Sequence, residues 1–139
     1  MATEILVNDG GAPARILPYT AGVALSAGEA VMSSTTVAYE VVLADTAVGL
    51  SVLGFALTNT ALGEIASIVT GKGVILNVQA LPTAIGEALA IGGVAAGQLA
   101  AAPAAAAASM YAPIAMNLKL LGEGSEALGA AGLWRVQTL

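Results

Sequence analysis

The sequence predicts a mainly β fold, a small sandwich or barrel built from two similar β units with little helix. Three observations carry that expectation. Seventeen glycines and five prolines cut the 139 residues into short apolar runs. The runs favour Val, Ile, Leu and Thr, which fit a pleated, half-buried surface. A set of short motifs recurs at a near-constant spacing, the mark of an internal repeat.

Taken in order, the first run is Ile5-Leu6-Val7, closed by the turn former Asn8-Asp9-Gly10-Gly11. Arg15-Ile16-Leu17 follows, ahead of Pro18 and Ala21-Gly22. Residues 36–43 read as a longer strand and residues 50–58 as another. Residues 65–70 and 74–78 flank Gly71-Lys72-Gly73, which reads as a tight hairpin because glycine accepts the positive φ of such loops. The run 133–139 alternates apolar and polar over 134–137 and reads as a closing strand. The alanine-rich segment 100–108, interrupted by Pro103, suits a short helix over 103–110 with the proline in its first turn. It suits an extended small-residue stretch equally well.

The repeat has three anchors. Ala27-Gly28-Glu29-Ala30-Val31 returns 58 residues on as Ile85-Gly86-Glu87-Ala88-Leu89. Phe55-Ala56-Leu57 returns 59 residues on as Ile114-Ala115-Met116, and Gly63-Glu64 returns at the same spacing as Gly122-Glu123. Val37-Ala38 and Val94-Ala95 lie between the anchors of each half. These spacings predict an arm and first strands over 1–24, a first β unit over 25–83 and a second over 84–139, within one compact domain. Gly-Glu fits a turn, the glycine taking the unusual dihedral and the glutamate facing water.

Composition narrows the function. Only 9% of residues are charged, against about 25% in an ordinary soluble domain. With 58% hydrophobic residues, the chain is not disordered. No cysteine and no histidine is present, which removes disulfides, thiolate chemistry, the usual zinc ligands and the Ser-His-Asp triad. A net charge of -5 argues against nucleic-acid binding. The mean hydropathy of +0.88 would suit a membrane protein, but the uncharged stretch 88–118 is broken by Gly92, Gly93, Gly97, Pro103 and Pro113. Residues 46–63 carry Thr58, Asn59 and Thr60, and residues 1–8 hold Glu4 and no basic region, unlike a signal peptide. The expectation is a soluble chain, with no membrane partner, whose excess apolar surface other chains cover.

No motif carries chemistry. Gly71-Lys72-Gly73 lacks the P-loop frame, with Ala66 and Gly73 where glycine and Ser/Thr are needed. Gly49-Leu50-Ser51-Val52-Leu53-Gly54 misses the nucleophile elbow by one residue. Glu29, Glu64, Glu87 and Glu123 each follow a glycine, a regularity of fold rather than of paired-carboxylate catalysis. Glu123 and Glu126 lack the dense spacing of a calcium loop. Tyr19, Tyr39, Tyr111, Phe55 and Trp134 form no stacking cluster. No catalytic residue, cofactor site or metal site is expected. The candidates left are assembly contacts. Glu4, Ile5, Leu6 and Val7 could add a strand to a neighbour's sheet edge or start the chain's own first sheet, and Trp134 could be a core residue or an interface anchor.

Three stretches then suggest a family. They are Ser26-Ala27-Gly28-Glu29-Ala30-Val31, the run from Val52-Leu53-Gly54-Phe55-Ala56 to Leu62-Gly63-Glu64, and Ile68-Val69-Thr70-Gly71-Lys72-Gly73-Val74. The second half repeats the order with Gly86-Glu87-Ala88-Leu89, Ala96-Gly97-Gln98-Leu99, Pro113-Ile114-Ala115-Met116 and Leu133-Trp134-Arg135-Val136. Over residues 20–139 the chain resembles tailed-phage capsid decoration (head cement) proteins, departing at Pro113, where the first half has Gly54, and in its longer alanine run. The resemblance implies a small β-rich protein, commonly a homotrimer, that binds major capsid proteins on the outer capsid surface and stabilises the lattice. A self-assembling bacterial surface or shell-type protein is the rival reading. A carboxylate-based acid/base enzyme is a third.

Overall fold

Alternation of side chains sets the strands. Along Ile75–Leu81 every second residue is buried, and from Leu133 to Thr138 the same period holds. The computed structural model describes residues 13–45, 52–81, 88–91, 96–101, 115–117 and 132–138, and these contain ten strands and no helix. The first five are β1 (Arg15–Ala21), β2 (Ala30–Ser33), β3 (Glu40–Leu43), β4 (Gly54–Ala56) and β5 (Ile65–Thr70). The second five are β6 (Ile75–Leu81), β7 (Ala88–Ile91), β8 (Leu99–Ala101), β9 (Ala115–Asn117) and β10 (Gly132–Thr138). The protein is mainly β.

Each set of five closes into a barrel, and the two barrels share one topology. The hydrogen-bonded order is β1-β3-β2-β4-β5 in the first and β6-β8-β7-β9-β10 in the second, each last strand pairing with the first. In each barrel only the first and third strands are parallel, β1 with β3 and β6 with β8. The registers correspond residue by residue. Leu17 pairs with Ile68 as Leu76 does with Val136, and Tyr19 pairs with Ala66 as Val78 does with Trp134. Val31 pairs with Leu43 as Leu89 does with Ala101. The barrels run over 15–70 and 75–138, so β1 lies ahead of residue 25 and β6 ahead of residue 84.

Several local expectations change. Gly71-Lys72-Gly73 does not make a hairpin, because β5 pairs with β1 and β4 while β6 pairs with β10 and β8. It is the link between barrels, tied down by Thr138, whose Oγ1 donates to the Gly71 carbonyl at 2.8 Å and accepts from the Val74 N–H at 2.9 Å. The strand read over 36–43 begins only at Glu40. Ser34 Oγ accepts from the Thr36 and Val37 N–H groups, each at 3.3 Å, and Tyr39 has φ 58°, so residues 34–39 turn instead. Of 50–58, residues 50 and 51 lie outside the described residues, and Gly54–Ala56 is the strand among the rest. The register aligns Ala115 with Gly54 and not with Ala56, a shift of two that keeps the same face. The alanine segment beyond Ala101 lies outside the described residues.

Two apolar clusters follow from the closure. Ala21, Leu25, Val31, Val41, Ala56, Ala66 and Ile68 fill the first barrel. The second cluster joins the interior of the second barrel (Leu76, Val78, Leu89, Leu99, Trp134, Val136) to Ala30, Met32, Phe55 and Val69 of the first. Ala30 and Met32 alternate with the inward Val31, so they are outward residues of β2. The first barrel therefore uses part of its outer wall as core, and the two barrels pack as one body.

Candidate assembly surface

The junction between barrels is built from backbone. The segment 28–30, leading into β2, runs between β6 and the turn before β8. The Gln79 N–H donates to the Gly28 carbonyl at 2.8 Å, and the Ala30 N–H donates to the Gly97 carbonyl at 2.8 Å. Gly97 in turn donates to the Ala44 carbonyl at 2.9 Å. Both glycines are needed. Gly28 has φ +85°, and a Cβ there would lie 2.7 Å from Leu133 Cδ2. Gly97 has φ +79°, and a Cβ there would lie 2.9 Å from Leu43 Cδ2 and 3.2 Å from Glu29 Cβ. Gln79 Nε2 adds a longer bond to the Ala27 carbonyl at 3.4 Å.

Glu29 sits at this junction, and not at a wet turn tip as its Gly-Glu motif suggests. Its Oε2 is buried without a hydrogen-bond partner among the described residues. Burial raises its pKa above the ordinary carboxylate value, and hydrogen bonds from Ser26 offset part of that rise. Glu64, by contrast, is exposed beside Gly63 in the turn before β5. Glu87 and Glu123 lie outside the described residues.

Among the described residues, the first barrel exposes several large apolar side chains, Ile16 (49%) near the start of β1 and four others. Tyr39 is 83% exposed, Leu62 68%, Ile65 66% and Val37 50%. Backbone contacts gather Tyr39, Ile65 and the Leu62 turn around the end of β1. The Thr20 N–H donates to the Tyr39 carbonyl at 2.9 Å, Thr20 pairs with Ile65, and the Gly63 N–H donates to the Ala21 carbonyl at 2.8 Å. Such a group of large apolar side chains facing water is characteristic of a contact surface rather than of a solvated wall. No sequence signal singled these residues out. Ile65 is distinguishable only as the out-of-phase partner of Ala66 and Ile68, and the left-handed backbone at Tyr39 leaves no mark in composition.

Trp134 lies inside the second barrel, 2% exposed and paired with Val78, so its ring serves the core of its own chain. Glu4, Ile5, Leu6 and Val7 lie outside the described residues. A cleft of about 110 Å³ between the barrels is lined by Val52, Gly54, Phe55, Thr70, Gly71 and Thr138 among others, none of them titratable. Among the described residues no group of three or more acidic side chains stands close enough to hold a metal ion. No helix among them is long and apolar enough to cross a membrane.

No family model matches the chain, and no curated protein matches it. Among solved structures, the fold is similar to that of the head fiber gp8.5 N base in bacteriophage phi29. The TM-score is 0.64, covering 91% of this chain and 95% of that chain, at 12% sequence identity. The likeness is one of fold. It spans both barrels, so the paired-barrel arrangement is shared and not the single barrel alone.

Proposed function

We propose that this chain is a structural protein of a phage virion, a decoration or cement protein that binds the outer capsid surface as a homotrimer and stabilises the capsid lattice. The observation that carries the reading is the fold likeness to the base of a phage head fibre over nearly the full length of both chains. The motif order described above supports it independently. So does the chemistry of the surface: few charges, and a cluster of exposed apolar side chains at one end of the first barrel. The partners are the major capsid protein and further copies of the chain. The role calls for no cofactor and no catalysis.

Cryo-electron microscopy of expanded, undecorated tailed-phage capsids incubated with the purified protein tests this. The expected result is added density on the outer surface at repeated lattice positions. Capsids with bare outer surfaces, alongside ordered arrays of the protein by itself, would favour the shell-protein reading instead.

A further inference from the structure

The two barrels are topological copies, yet among the described residues one of two corresponding surfaces is covered by the other barrel and its counterpart is not. On the second barrel, Gln79, Gly97 and Leu133 all meet the first barrel, through the hydrogen bonds at Gly28 and Ala30 and the packing of Leu133 on Gly28. The registers assign their counterparts. Thr20 pairs with Ile65 as Gln79 pairs with Leu133, and Tyr39 stands two residues ahead of Val41 as Gly97 stands two ahead of Leu99. The counterparts are therefore Thr20, Tyr39 and Ile65; Thr20 is half-buried and bonded to the Tyr39 carbonyl, while Tyr39 and Ile65 belong to the exposed apolar end of the first barrel.

We infer that this end receives the second barrel of another copy, repeating between chains the junction that the two barrels make within one chain. The inference rests on the homo-oligomer in the reading above. The occupant is argued from complementarity of size. Within the chain, the small Gly97 faces the large Leu43. Between chains, the large Tyr39 takes the place of Gly97, and the register puts Ala101 in the place of Leu43. A large residue on one side is matched by a small one on the other in both junctions. The entering strand would be β7 at Ala88, the counterpart of Ala30, and Gly-Glu precedes both strands in sequence. Its N–H would reach the Tyr39 carbonyl, in exchange for the bond that the carbonyl now accepts from Thr20. Because the two surfaces differ, the contact is head-to-tail. Rings form when such contacts close, and three chains would then alternate internal and external junctions.

Two measurements test it. Light scattering after size exclusion gives the mass of the wild type and of Ile65→Glu, a substitution at an exposed site that leaves the isolated fold intact. The chain has no native cysteine, so a mixture of Tyr39→Cys and Ala101→Cys can be joined by a short bismaleimide. The expected results are a wild type of three chain masses, an Ile65→Glu protein shifted to one, and linked pairs in the mixture but not in either variant alone. A trimeric wild type with an unshifted Ile65→Glu protein and no linked pairs would overturn this junction while leaving the trimer standing. Ile65→Glu trimers that no longer bind capsids would assign the surface to the capsid protein and also overturn it. A monomeric wild type at tens of micromolar would overturn both the junction and the trimer.

Discussion

Trp134 occupies in the second barrel the position that Ala66 occupies in the first. Each is an inward residue of its barrel's last strand, opposite Val78 in one case and Tyr19 in the other. The large side chain comes from the last strand in one barrel and from the first strand in the other. Two barrels of the same topology are thus filled by different distributions of volume, and a substitution that is mild at one position is severe at its counterpart.

Trp134→Ala should remove about 3–5 kcal/mol of stability, the cost of emptying a buried indole site. Ala66→Ser, at its counterpart, places one small hydroxyl in the first barrel and should cost about 1–3 kcal/mol. Urea denaturation followed by circular dichroism checks both. Near-equal losses would mean that the two sites are not packed as described.

Gly28 and Gly63 share the same backbone angle, φ +85°, but only Gly28 is hemmed in; a Cβ at Gly63 meets nothing within 4 Å. Gly63→Ala should therefore cost only the left-handed backbone strain, about 1–2 kcal/mol. Gly28→Ala adds overpacking against Leu133, about 1–3 kcal/mol more. Midpoints from parallel denaturation curves should separate the two variants in that order.

Thr138→Val keeps the shape of the side chain and removes the hydroxyl that bonds Gly71 and Val74. It should cost about 1–3 kcal/mol, because the buried Val74 N–H loses its partner. Thr138→Ser should restore most of the loss. Hydrogen exchange at Val74 reads the effect directly, with faster exchange in the valine variant and near-normal exchange in the serine variant.

Glu29 gives a pH dependence of defined sign. Its folded pKa is raised, so the folded chain holds this proton to higher pH than the unfolded chain does. Stability from this group is therefore full below the ordinary carboxylate value and falls as pH rises through the raised value. Glu29→Gln should flatten that fall and be more stable than the wild type at neutral pH. Thermal melts from pH 4 to pH 7 check it. A Glu29→Gln protein that is less stable throughout would show that the carboxylate is stabilised at the junction.

Much of this fold was legible in the residues, and the limits have physical causes. Arg15–Leu17 and residues 65–70 and 74–78 showed themselves as β-branched and apolar runs between glycine and proline breaks, and the closing run at Trp134 through the alternation of a strand buried on one side. β2, β7, β8 and β9 are three or four residues long, too short for a period to register. Glycine at 71 and 73 marked the break between β5 and β6, but turn chemistry says nothing of which strands pair across it, and the hairpin expected there is absent. The repeat anchors at Gly28 and Gly86 lie inside the units, so they report a period without a phase. The assembly surface was the least legible part. It depends on which copy of a repeated surface is already covered, and that appears only once the barrels are docked.

The most direct test of the central claim is cosedimentation of the purified protein with expanded, undecorated tailed-phage capsids. The account predicts saturable pelleting at a fixed ratio to the major capsid protein, with capsids that then resist heating or low ionic strength better than undecorated ones. Protein that stays in the supernatant at every capsid concentration, with capsid stability unchanged, would contradict it.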